Sequence, residues 1–197
     1  MYLFIYNTKM SITNLNKFQK FFYDYGRFHY NKVNVWIHII CVPFITYTLG
    51  RIIGHLANTH FDIKLNPIYL LFTVLTCLYV YVDFVSGLLT IVQNVSLLYY
   101  FSDFDFSCGS WSNIQVITAI HLVSWILQFL GHGIFEKRKP ALMDNLLLTF
   151  NAPVFVNIEL MYMFFGYRRK DIEEAFVYIK KDVEEYRKSF KNNKKGE

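Results

Sequence analysis

Long apolar runs alternate with short polar breaks along most of this chain. The first run is Val33–Ile53, interrupted at Pro43, and a polar stretch from His55 to Asn66 follows it. Pro67–Asp83 and Phe84–Phe101 adjoin one another, and Asp83, Ser86 and Gly87 supply the residues of a tight turn, which predicts a helical hairpin. Residues 102–113 are polar and acidic, and Ile114–Gly131 is the fourth run. The fifth, Leu146–Phe165, is broken by Asn151 and Pro153. Each run is close to the roughly 20 residues that a helix needs to cross hydrocarbon.

Amphipathic segments flank these runs. Leu15, Phe18, Phe21, Phe22 and Tyr25 recur at helical spacing among Lys17, Lys20, Asp24 and Arg27, predicting a surface-lying helix over 15–28. From Arg168 to Lys191, Ile172, Phe176, Ile179, Val183, Tyr186 and Phe190 follow steps of four and three on a charged helix. About two and a half heptads is short for a coiled coil, so packing within the chain or on a membrane surface is expected.

Composition supports a membrane protein: 54% of residues are apolar and 19% aromatic, more than an ordinary soluble domain carries. The net charge of +5 gathers in the last thirty residues and in Lys137-Arg138-Lys139. Basic residues mark the cytosolic side, which places both termini and the 137–139 turn there and the 55–66 and 102–113 loops across the bilayer. Four spans satisfy that arrangement, so 146–165 must enter and leave on the cytosolic side as a broken, re-entrant hairpin. The expected fold is therefore all-α and multi-pass, with about four spanning helices, a re-entrant helical hairpin and amphipathic terminal helices. Residues 1–170 form its membrane-embedded catalytic domain and 171–197 a charged cytosolic tail helix.

Other function classes recede on the same evidence. The aromatic residues lie inside apolar runs rather than among basic ones, which argues against nucleic acid as a partner. Cys41, Cys77 and Cys108 show no Cys-x-x-Cys spacing and read as small packing residues without a disulfide framework. No removable signal peptide is read, and the sequon Asn94-Val-Ser96 falls inside an apolar run. Lys194-Lys195-Gly-Glu has the form of a dilysine retrieval signal for the endoplasmic reticulum.

The chemistry lies in ionisable residues placed where hydrocarbon cannot solvate them. Asn34 and His38 share one helix face, as do Gln128, His132 and Glu136, because residues four apart are neighbours on a helix. Gly131 and Gly133 leave room beside His132, and His29 precedes the first run, where a turn can return it over the membrane face. If the first and fourth spans pack with their cytosolic ends level, His29, His38 and His132 converge. Neutral imidazoles suit iron, zinc, copper or nickel. Asn34, Gln128, Glu136 and Glu159 can orient those rings, or one carboxylate can ligate directly. Six histidines without a His-x-x-His-His box favour one metal ion over two. His121 reads as an interhelical or lipid-facing residue, and His55 and His60 as solvent-exposed.

Two stretches carry a resemblance. Phe28-His-Tyr-Asn-Lys-Val-Asn-Val-Trp-Ile-His38 with Val42-Pro43 resembles the N-terminal motif of the endoplasmic-reticulum 2-hydroxy fatty acid dioxygenases. Trp125 to Leu142, continuing through Asp144-Asn145 and Ala152-Pro153 to Glu159, resembles the second motif of that family, and the likeness covers roughly residues 15 to 170. It implies a ferrous-iron enzyme of phytosphingosine breakdown that uses dioxygen to shorten a 2-hydroxy fatty acid by one carbon. It also implies an endoplasmic-reticulum membrane location, His29, His38 and His132 as metal ligands, and Glu136, Glu159 and Asn34 as supporting catalytic residues. A 2-hydroxy acid can chelate such a metal, and Lys137, Arg138 or Lys139 can attract its carboxylate. The alternative readings are a non-enzymatic membrane transporter or scaffold with a polar intramembrane stripe, and a zinc hydrolase on the same histidines. Oligomeric state is left open.

Overall fold

The computed structural model describes residues 12–61, 67–101, 103–139 and 146–193, so the dilysine sequence lies outside the described residues. Those residues are helical apart from turns and an isolated antiparallel bridge between Cys108 and Trp111. The helices are α1 (Lys17–Gly26), α2 (Lys32–Phe61), α3 (Ile68–Val82), α4 (Phe84–Tyr100), α5 (Asn113–Leu130), α6 (Leu146–Phe165) and α7 (Arg169–Asn193), with a π-helical turn, Gly131–Glu136, extending α5. Local chemistry sets several starts. Asn16 and Gln19 form a reciprocal capping box at α1. The Asp83 carboxylate accepts the Ser86 N–H at 3.0 Å to begin α4.

The hairpin at Asp83 forms where the sequence places it. Gly87 is what lets α3 and α4 cross closely, because a Cβ there would stand 2.6 Å from the Tyr79 carbonyl carbon. α2 and α5 run antiparallel over most of their lengths: Thr48 meets His121 near one end, and Asn34 lies against Gly131 at the other. α4 runs in the same direction as α2, with Leu98 against Gly50 and the Phe101 carbonyl accepting from Tyr47 Oη at 2.7 Å. The starts of α2 and α4 and the end of α5 therefore share one end of the bundle.

Three expectations change. α2 continues as helix to Phe61, so most of the anticipated 55–66 loop is helical; no proline interrupts it there. α2, the extended α5 (Asn113–Glu136) and Leu148–Phe165 of α6 are long and apolar enough to cross a membrane, whereas α3 and α4 have 15 and 17 residues. At 1.5 Å per residue they reach only about 22 and 26 Å, short of the roughly 30 Å hydrocarbon core. Finally, 146–165 is one continuous helix through Pro153 rather than a broken hairpin. Its two ends nevertheless meet the same end of the bundle: Leu148 packs on Phe28, while Tyr167 and Arg168, just past the other end, bond to Asp83. An unbroken helix bonds its own backbone, so no exposed irregular backbone has to be satisfied mid-segment. Cys77 and Cys108 are exposed and Cys41 alone is buried; all three are free.

α1 and α7 form a second layer across that end. The apolar stripe of α7 is buried through Ile172, Ala175, Ile179 and Val183, in one core with Phe18, Phe22 and Tyr25 of α1. Gly26 admits Ile179, and Tyr23 Oη donates to Asp182 at 3.1 Å. The Asp83 side chain, wholly buried, ties this layer to the hairpin. Arg168 Nε donates to it at 2.7 Å and Tyr167 Oη at 2.8 Å. Replacing Asp83 by alanine removes a helix cap and strands two donors, so Asp83→Ala should destabilise the protein by about 2 kcal/mol or more, seen as a lower Tm in detergent.

Candidate metal centre

His29 lies in the short turn between α1 and α2, where its backbone N–H donates to the Gly26 carbonyl at 3.0 Å. His38 sits two turns into α2, and His132 is the second residue of the π turn that ends α5. Because α2 and α5 are antiparallel with their ends level, the three rings meet. Their centroids are 4.3 Å (His29–His38), 4.9 Å (His29–His132) and 4.9 Å (His38–His132) apart, each pair edge to face. One nitrogen from each ring falls within 4.8 Å of the other two. All three side chains are buried.

Backbone carbonyls set the orientation of two rings. His29 Nδ1 lies 2.9 Å from the Tyr25 carbonyl and His38 Nδ1 lies 2.9 Å from the Asn34 carbonyl. A carbonyl oxygen can only accept, so both Nδ1 atoms carry the proton and both Nε2 atoms keep a free lone pair. His29 Nε2 and His132 Nδ1 are buried without any hydrogen-bond partner. Burial, then the neighbouring His38 and His132, hold the His29 pKa well below its ordinary 6.5, so its imidazole is neutral and competent as a ligand.

This donor set fits a divalent transition metal. Bonds of about 2.0–2.1 Å to one ion put imidazole nitrogens roughly 3–4 Å apart, so these rings need move little. Neutral imidazoles with carbonyl-fixed tautomers are the arrangement such ions favour, and magnesium or calcium would require oxygen donors.

Glu136 is placed to hold the centre together. One of its carboxylate oxygens accepts the Asn31 N–H at 2.7 Å and Asn34 Nδ2 at 3.2 Å, joining the end of the π turn to the start of α2. Asn34 Nδ2 also donates to the Phe28 carbonyl at 3.3 Å, which fixes the turn carrying His29. A Cβ at position 131 would collide with Asn34 Oδ1, so Gly131 permits this closeness; Gly133 faces open space instead. Gln128 is buried one turn before His132, with its Nε2 unpaired.

Glu159 does not join the histidine cluster. It is buried on α6, one turn beyond Phe155, and makes no hydrogen bond among the described residues. His121 is separate as well, bonded to Thr48 Oγ1 at 2.9 Å and to Trp125 Nε1 at 3.1 Å, which uses both ring nitrogens. His55 and His60 are exposed near the far end of α2. Arg138 is committed to structure rather than left open to a ligand: it pairs with Asp182 at 2.8 Å and donates to the Arg27 carbonyl at 3.1 Å. Lys137 and Lys139 stay exposed.

Two residues of this neighbourhood escaped the sequence reading. Tyr25 counted only as part of the apolar stripe of α1, yet its ring stacks on His29 at 4.0 Å. Asn151 counted only as a helix breaker, yet it is buried with Oδ1 unpaired. The four-residue spacing from Tyr25 to His29, matching that of Asn34 and His38, is the signal that would have found the first. Glu136→Ala strands the Asn31 and Asn34 donors and should cost about 1–3 kcal/mol. Glu136→Gln keeps an acceptor oxygen and should recover most of that loss in thermal melts.

Known proteins share this framework. The family model described as 2-hydroxy-palmitic acid dioxygenase Mpo1-like matches residues 15–164. The 2-hydroxy-palmitic acid dioxygenase MPO1 of Saccharomyces cerevisiae is 34% identical over 141 residues, covering 70% of this chain and 76% of the yeast protein. No solved structure matches. The family match opens just before α1 and closes near the end of α6, taking in the three histidines, Glu136 and Glu159. This chain belongs to the Mpo1-like family.

Proposed function

We propose that this protein is a ferrous-iron-dependent 2-hydroxy fatty acid dioxygenase that carries out α-oxidation, shortening its substrate by one carbon, in the endoplasmic-reticulum membrane. The observation that carries this reading is the set of three buried imidazoles that bring one nitrogen each to within 4.8 Å of the others. Membership in the family, and the printed name of the yeast relative, supply the substrate class.

His29, His38 and His132 would hold the iron. When bound, it supplies a chelation point for the carboxylate and hydroxyl of a 2-hydroxy acid and an open position for dioxygen. The residues around it do the positioning. The Tyr25 and Asn34 carbonyls keep the His29 and His38 rings in one tautomer. Glu136, pinned by Asn31 and Asn34, keeps α2 and α5 level, so that His38 and His132 stay opposed. Glu159 contributes a further buried carboxyl on α6, one turn from the Phe155 ring that stacks on Tyr25. Exposed Lys137 and Lys139 lie at the same end of the bundle and draw a fatty-acid carboxylate to the membrane surface, while the acyl chain stays among apolar helices.

Protein purified without oxygen should contain about one iron per chain. With dioxygen it should convert 2-hydroxypalmitate into the acid one carbon shorter, and His132→Ala should lose both metal and turnover. Full turnover by His132→Ala, or product formation without oxygen, would defeat the assignment.

The basic residues of the 137–139 turn and of the tail support a cytosolic site end of the bundle. A glycosylation sequon inserted in the 103–112 loop should therefore be modified in cells, and one appended to the C-terminus should not. The reverse pattern would invert the orientation.

A further inference from the structure

Among the described residues, Tyr25 is a phenol stacked directly on a histidine of the metal centre. Its ring is clamped face to face between His29, with centroids 4.0 Å apart and planes 12° apart, and Phe155 of α6, at 4.5 Å and 10°. A ring held on both faces cannot swing its hydroxyl away, and the side chain is only 1% exposed. Yet Tyr25 Oη, though buried, has no hydrogen-bond partner. Buried tyrosine hydroxyls usually find a partner, because leaving one unpaired costs a desolvation penalty.

The surroundings say what that partner is. Tyr25 packs against the ligand histidine on one side. On the other, Phe155 shares its α6 face with Asn151 and Glu159, one turn to either side, and Asn151 Oδ1 is likewise buried and unpaired. The two stacks hold the ring between α6 and the turn that carries the ligand histidine. A phenol clamped there is a fixed, unpaired donor beside a ligand histidine.

We propose that Tyr25 donates a hydrogen bond from its hydroxyl to an oxygen atom of the ligand seated against the three histidines. That ligand is either the carboxylate of a fatty acid or dioxygen. This inference rests on the oxygenase reading above. It makes Tyr25 a residue that touches the reacting molecule, in addition to supporting His29 through its ring.

Tyr25→Phe tests it, since the change keeps both ring stacks and removes only the unpaired oxygen. The free variant should keep its iron and melt at the same temperature as the parent or higher, because no existing bond is lost. Anaerobic binding of 2-hydroxypalmitate to the iron-loaded protein, followed by its ligand-induced rise in Tm, should weaken about tenfold if the carboxylate is the acceptor. If the acceptor is dioxygen, that binding holds, and the N–O stretch of the nitric oxide adduct of the ferrous protein shifts instead. Unchanged binding together with an unchanged stretch overturns the inference and leaves the oxygenase reading standing. Loss of iron or a lower Tm in the free variant overturns it too, giving the hydroxyl a structural role. A parent protein that holds no iron or binds no 2-hydroxy acid removes the oxygenase reading itself.

Discussion

Three imidazole rings packed edge to face inside an apolar bundle impose the constraint on which this structure depends. His29 and His38 each spend Nδ1 on a backbone carbonyl, while His29 Nε2 and His132 Nδ1 are buried with no hydrogen-bond partner. Buried polar atoms without partners cost free energy that a folded chain otherwise avoids. Their concentration at one point, between helices that could have been sealed with leucine, is understandable when a cation completes the set. Burial keeps His29 neutral, and neutrality is the state in which imidazole binds a metal.

The rest of the fold can be read as what keeps these rings opposed. α2 and α5 bring His38 and His132 to the same level only if their ends stay in register, and Glu136 spans that gap by accepting from Asn31 and Asn34 together. The π turn at Gly131–Glu136 widens the end of α5 just where His132 and Glu136 must both face inward, and such turns recur at functional sites. The layer of α1 and α7 then closes over the end of the bundle. Arg138 fastens it through Asp182, while Asp83 fastens it through Arg168 and Tyr167. Tail and hairpin thus brace the turn that carries His29.

Not every polar group among the apolar helices serves the site. His121 satisfies both nitrogens with Thr48 and Trp125, and Asn157 spends its amide on Thr90 Oγ1 at 2.8 Å and Gln93 Oε1 at 2.9 Å. These pairs are closed and tie helix to helix. His29, His132, Tyr25 and Asn34, at or beside the metal centre, each keep a buried polar atom unpaired instead.

The chain alone determined the helical class, the turn at Asp83, the amphipathic faces of α1 and α7, and the polar stripes bearing His38 and His132. All of these follow from periods of three and four residues, and such periods are local. It did not reveal that 146–165 stays unbroken, because Asn151 and Pro153 look like breakers until Asn151 is seen buried within the packed bundle. Nor did it separate Glu136, which ties α2 to α5, from Glu159, which stands apart on α6. Tyr25 stands four residues before His29, but nothing local announced its stack on Phe155. Those outcomes depend on which helix lies against which, and contacts between residues more than a hundred positions apart leave no period to read.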